Sequence, residues 1–156
     1  WDKNNISILD CGSNTSPWCN MLNKFDTSKI SVTIYDPFAK KNYANDLDFD
    51  FPLTVASNLS ELKEDEFDLT VFGSSSQYIE KFFDTVLEDP IILSNKILFT
   101  GTPFSLKGSF EAMQDTSFKA VHVQYIRSYK DLVRNFSSLG YKIVLYLLFR
   151  FIHKTT

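Results

Sequence analysis

The chain has 156 residues, enough for one domain with a real core, and the whole length 1–156 reads as that single domain. A content of 44% hydrophobic and 15% aromatic residues excludes a disordered chain. A net charge of −3, with no run of Lys or Arg, argues against a nucleic-acid partner.

No apolar run reaches transmembrane length and no signal peptide is present, so a cytoplasmic protein is expected. Trp1 follows no initiator Met, which suggests a piece of a longer chain with other domains. Cys11 and Cys19 lack CxxC spacing and have only His122 and His153 as possible co-ligands. Two reduced cysteines, and no metal site, are the expectation.

Ile6, Ile8 and Leu9 read as a strand buried on both faces, ending at Asp10-Cys11-Gly12. Ser16 suits an N-cap and Pro17 a first helical position, and Trp18, Met21, Leu22 and Phe25 follow at helical spacing. Ile30 to Tyr35 is a second strand tipped by Asp36-Pro37. Ala39 to Asp50 is polar, and its alternating Asp46, Asp48 and Asp50 lack the glycine and distal glutamate of an EF-hand loop. Leu53 to Ala56 is a third strand and Phe67 to Phe72 a fourth, broken by Gly73-Ser74-Ser75-Ser76. Ile79, Phe82, Phe83, Val86 and Leu87 describe an amphipathic helix that Asp89-Pro90 stops.

Ile97 to Thr100 is a fifth strand. Residues 104 to 118 show no clear period and read as a loop with at most a short helix. Ser128 and Asp131 form a capping-box start, Tyr129, Leu132, Val133, Phe136 and Leu139 a buried stripe, and Gly140 a helix stop. Tyr141 to Phe149 returns as a last strand. Alternating strands and helices predict an α/β, Rossmann-like, doubly wound and mainly parallel sheet of about six strands. Right-handed crossovers would bring the ends of the first, second and fourth strands around one cleft.

On these residues the chain resembles the class I S-adenosylmethionine-dependent methyltransferases. Ile8-Leu9-Asp10-Cys11-Gly12 is similar to the family's first motif, and Ile34-Tyr35-Asp36 resembles its second. Phe67 to Phe72 followed by Ser76-Gln77-Tyr78-Ile79 resembles the fourth strand and its helix. His122 through Val144 resembles the late helix and the strand after it. Within the family the chain looks closest to methyltransferases of bacterial surface-polysaccharide gene clusters, through Ser75-Ser76-Gln77-Tyr78-Ile79 and Thr100-Gly101-Thr102-Pro103. The family closes its sheet with a seventh, hairpin-linked strand, and too little chain follows Phe149 for a regular one.

The resemblance implies S-adenosyl-L-methionine as cofactor and a small-molecule substrate. Asp36 would accept the ribose hydroxyls, though a turn acid ahead of Pro37 is the alternative. Asp10 would hold the turn or the cofactor's ammonium, and Gly12 would admit the methionine part. Asn58 would meet the adenine edge, or simply serve a turn. Gly73 and Ser74 would line the cleft, while Gln77 and Tyr78 would face the acceptor, with a core position as the equal alternative for Tyr78. His122 would be the base, since imidazole suits proton transfer at neutral pH, though a lone histidine ahead of a helix is more often structural.

The first motif usually runs acid-x-Gly-x-Gly-x-Gly, and here Asn14 and Ser16 stand at the later glycine positions. Asn tolerates positive φ next best, so the turn remains possible. Two readings stay open. One is methyl transfer to a hydroxyl-bearing acceptor such as a sugar or nucleotide-sugar. The other is a catalytically degenerate domain serving binding or assembly in a larger polysaccharide-biosynthesis protein. A nicotinamide-dependent dehydrogenase is third, without the G-x-G-x-x-G turn that admits a pyrophosphate.

Overall fold

The computed structural model describes residues 5–12, 26–37, 51–62, 67–84, 89, 92, 94–115 and 121–142. Five strands, β1 (Ile6–Cys11), β2 (Ile30–Tyr35), β3 (Leu53–Ala56), β4 (Leu69–Gly73) and β5 (Ile97–Thr100), form one sheet in the order β3-β2-β1-β4-β5. Every pairing in it is parallel. The strand order reverses between β1 and β4, and that switch point is where an open α/β sheet leaves a crevice beyond its carboxyl ends.

Both faces of the sheet are buried because apolar side chains alternate along strands covered from two sides. Leu9, Cys11, Ala56 and Phe72 point into one core with Phe82, Leu132 and Phe136. Ile8, Val32, Ile34 and Val71 point into the other with Phe51. An aromatic cluster consolidates the first core. The ring of Phe99 stacks on Phe72 at 5.2 Å and meets Phe136 edge-on at 5.7 Å. Register is fixed by the entry to β4, where Ser7 N–H donates to Asp68 Oδ2 (3.0 Å) and Asp68 N–H donates to the Ser7 carbonyl (2.9 Å).

The region predicted as a loop at 104 to 118 is instead part of a second sheet. Strands β6 (Phe104–Ser105), β7 (Phe110–Asp115) and β8 (Val121–Ser128) are arranged β6-β8-β7, with β7 and β8 antiparallel. His122 therefore lies on a strand, and not in the approach to a helix. The single α-helix whose bounds are described, α1 (Tyr129–Ser138), starts as the sequence predicts: Ser128 Oγ accepts from Asp131 N–H. It ends in a Schellman motif, in which Gly140 at φ +86° donates to Ser137 O and Tyr141 N–H to Phe136 O. The rings of Phe136 and Tyr141 supply the accompanying apolar contact at 5.7 Å.

Leu132 and Phe136 of the predicted stripe are buried, whereas Leu139 is 44% exposed beyond the last turn. Residues 82–84 begin the helix predicted from Ile79 to Leu87, and 85–88 lie outside the described residues. So do the helix from Ser16 to Phe25, the Ala39–Asp50 stretch and the sixth strand from Ile143 onward. Five strands of the main sheet are thus described where about six were expected. No helix among the described residues is long and apolar enough to cross a membrane.

Candidate active site

The carboxyl ends of the five strands are laced together around the switch point. Gly12 N–H, just past β1, donates to Tyr35 O at 2.7 Å, and Asp36 N–H, just past β2, donates to Ala56 O at 3.0 Å. Ser75 Oγ donates to Cys11 O at 2.5 Å, joining the loop after β4 to the end of β1. Ser74 N–H donates to Thr100 O at 2.8 Å and its hydroxyl to Gly101 O at 3.3 Å, joining that loop to β5. Ser74 takes a left-handed backbone at φ +56°, an uncommon state for a residue with a β-carbon. These bonds hold it there.

Gly12 has φ +74°, and a β-carbon there would lie 2.7 Å from Ser75 Cβ. The turn is therefore closed to any side chain, because Ser75 fills the space a β-carbon would take. Asp36 is half-buried one residue beyond the β2 ladder, the place expected of it. Asp10 is fully buried, which suits holding the turn from within more than meeting a ligand. Asn58 is exposed after β3, with its amide nitrogen donating to Glu61 Oε1 (3.0 Å) and Ser57 Oγ (3.3 Å). That amide serves the local turn, in which Ser57 N–H, donating to Glu61 Oε2 at 2.8 Å, and then the Asn58 amide hold the Glu61 carboxyl below the usual carboxylate range. Gly73 closes β4, and Asn14 lies outside the described residues.

Cys11 sits in the wall of the site without taking part in it. Burial, with the Asp10 carboxylate beside it, pushes its thiol far above the ordinary range. The thiol stays protonated and inert. In a Cys19→Ser background, a thiol reagent is expected to leave folded protein unlabelled from pH 7 to 9 and to modify one cysteine on denaturation. Prompt labelling of the native state would contradict this burial.

The expected acceptor side divides. Gln77 is buried, its Nε2 donating to Ser74 O at 2.8 Å, so it braces the strained loop. Among the described residues its buried Oε1 has no hydrogen-bond partner. Tyr78 is 46% exposed and comes together with His122, the two rings edge-on at 6.3 Å. The core alternative for Tyr78 is therefore set aside, and the two residues expected to face an acceptor from distant parts of the chain share one wall.

Arg127 carries no local signal that would single it out. It is 7% exposed, and its Nη1 donates to Ser76 O (2.8 Å) and Tyr125 O (3.0 Å). Nη2 donates to Ile79 O and, at 3.4 Å, to Glu80 O. The guanidinium lies 4.9 Å over the Phe82 ring, and burial pulls its pKa below the ordinary value. It clamps the 3-10 turn Ser76–Tyr78 and the residues after it onto β8. Among the described residues, no group of acids, histidines and cysteines is arranged to hold a metal.

No family model matches the sequence, and no curated protein matches it. Among solved structures, the chain is similar to a DhpI-SAM-HEP complex, with a TM-score of 0.59 and 16% identity over 89% of this chain and 72% of that one. It is similar as well to 1,6-didemethyltoxoflavin-N1-methyltransferase of Burkholderia thailandensis with bound 1,6-didemethyltoxoflavin and S-adenosylhomocysteine. There the TM-score is 0.61 at 12% identity, over 90% of this chain and 62% of that one. At such identities the likeness is one of fold.

Proposed function

We propose that the chain transfers a methyl group from S-adenosylmethionine to a small hydroxyl-bearing acceptor, a sugar or nucleotide-sugar of surface polysaccharide. The observation that carries the reading is the pairing of Gly12 at φ +74° with Asp36 at the tip of β2, side by side at the switch point of a β3-β2-β1-β4-β5 sheet. Two proteins of similar fold, one described with SAM and the other with S-adenosylhomocysteine, support the choice of cofactor. The sugar rests on the sequence resemblance.

The residues present fit such a cofactor. Gly12 turns the main chain at the end of β1 through a positive φ, with no side chain of its own between it and a ligand. Asp36 would accept the ribose hydroxyls on its carboxylate, and Gly73 and Ser74 would line the cleft. When bound, the cofactor supplies an electrophilic methyl on a positively charged sulfur. The chain's own work is to align the acceptor and exclude water, since an in-line displacement gains most from positioning. His122, exposed on β8 beside Tyr78, takes the proton from the acceptor hydroxyl.

Calorimetry with S-adenosylmethionine, S-adenosylhomocysteine and NAD tests the reading. Binding of the first two and not the third is expected, with Asp36→Ala weakening it by about 1.5–3 kcal/mol while the fold survives. A wild type that binds none of them favours the binding-or-assembly alternative that Asn14 and Ser16 raised. Binding of NAD alone would replace the proposal with a dehydrogenase.

A further inference from the structure

The β7–β8 hairpin presents a polar cluster that no expectation included. Cross-strand pairing places Gln114 opposite His122 and Ala112 opposite Gln124, so both glutamines lie on the face that carries His122. Tyr78 reaches this face from the turn after β4. Its hydroxyl donates to Gln114 Oε1 at 2.8 Å and accepts from Gln124 Nε2 at 3.2 Å. Gln124 Nε2 also donates to Gln114 Oε1 at 2.6 Å.

These bonds consume one end of each amide and leave the other. Gln114 keeps an NH2 group with two donors, and Gln124 keeps a carbonyl oxygen, neither with a partner among the described residues. Exchanging nitrogen and oxygen on both glutamines gives the same result, because two amides in contact must meet donor to acceptor. Either way one donor end and one acceptor end remain, on diagonal positions of one hairpin face.

The position is as telling as the chemistry. Tyr78 N–H donates to Ser75 O at 2.9 Å, and Ser75 in turn touches Cys11 and the Gly12 turn. One 3-10 turn thus joins the residue that carries the cluster's hydroxyl to the loop at the crevice end of β1. The Tyr78, Gln114 and Gln124 side chains that make these bonds are polar amides and a phenol, with no carboxylate, ammonium or guanidinium among them.

We propose that Gln114 and Gln124, braced by Tyr78, select the acceptor, and that they select an uncharged ring carrying a hydrogen-bond donor next to an acceptor. A vicinal diol of a sugar and the amide edge of a heterocycle both have that pattern. The inference rests on the methyl-transfer reading for its site, and it narrows the substrate to neutral, doubly hydrogen-bonding rings. Tyr78 and the two glutamines fix the ring's orientation, and His122 remains free to meet the hydroxyl that reacts.

The test titrates methyl α-glucopyranoside and uracil, as probes of the two patterns, into wild type, Gln114→Leu and Gln124→Leu. NMR follows each titration with and without saturating S-adenosylhomocysteine. Saturable binding of at least one probe is expected, weakened by about threefold to tenfold in each leucine variant, roughly what one lost hydrogen bond is worth. The affinity for S-adenosylhomocysteine should not change. Leucine variants that bind the probes as wild type does, or a wild type that binds neither probe, overturn the proposal. Failure of S-adenosylhomocysteine to bind wild type overturns the methyl-transfer reading instead, and the cofactor-free titration then judges the glutamine pair by itself.

Discussion

Arg127→Met is expected to destabilise the fold by about 2–4 kcal/mol, read as a lower midpoint in urea unfolding. Two effects oppose each other. Removing a buried cation relieves its desolvation, which is why buried ions are often replaceable by apolar residues of similar volume. The partners here are main-chain carbonyls of Ser76, Ile79, Glu80 and Tyr125, and they cannot be replaced along with it. Each carbonyl left buried without a donor costs about 1–3 kcal/mol, so the loss outweighs the relief. Methionine keeps the packing over Phe82, so that the deficit reports the hydrogen bonds. Arg127→Lys should fall between the two, because an ammonium cannot reproduce the planar fork. A methionine variant within about 1 kcal/mol of wild type would show that water replaces the guanidinium.

Gly12→Ala is the second large effect, and it strikes stability and binding together. The left-handed backbone costs a non-glycine residue about 1–2 kcal/mol. The new methyl would also meet Ser75 Cβ at 2.7 Å, and Ser75 cannot retreat without giving up its bond to Cys11 O. A loss of about 2–3 kcal/mol and a collapse of cofactor binding are expected. Ser75→Gly added to Gly12→Ala should return the steric part and leave the backbone part, so the double-mutant cycle shows a favourable coupling. Strict additivity would mean that the two residues are not in contact.

The elements that were legible are those whose local chemistry and tertiary setting agree. Leu53–Ala56 and Ile97–Thr100 are short apolar runs bounded by turn residues, and both strands fall on the expected residues. Ser128, Gly140 and the stripe between them were legible because capping is local. The strand Phe110–Asp115 was not. Its Glu, Ala, Met and Gln favour helix, and most of it is exposed, so no apolar period marks it. It is a strand because β8 pairs with it, and β8 did carry a signal in the alternation of Val121, Val123 and Tyr125.

The candidate site divides the same way. Gly12 and Asp36 follow from turn chemistry at strand ends. The burial of Gln77 was not legible, because it depends on what packs over the turn, which no neighbouring residue reveals. Arg127 could not be found by any window, since its carbonyl partner at Ser76 lies 51 residues away.

Ser128 both ends β8 and caps α1, so no linker separates the hairpin from the helix. Its N–H is held by Ser109 Oγ at 2.9 Å and its hydroxyl by Asp131 N–H, which leaves no slack at the junction. The hairpin and helix therefore behave as a stiff lever with its fulcrum on the main sheet, where Phe136 presses on Phe99. A ring pushing against the hairpin face would load β5 through that lever rather than bend the hairpin alone. Hydrogen exchange of the β5 amides should then slow together with those of β7 when the acceptor wall is filled, two edges of different sheets answering as one.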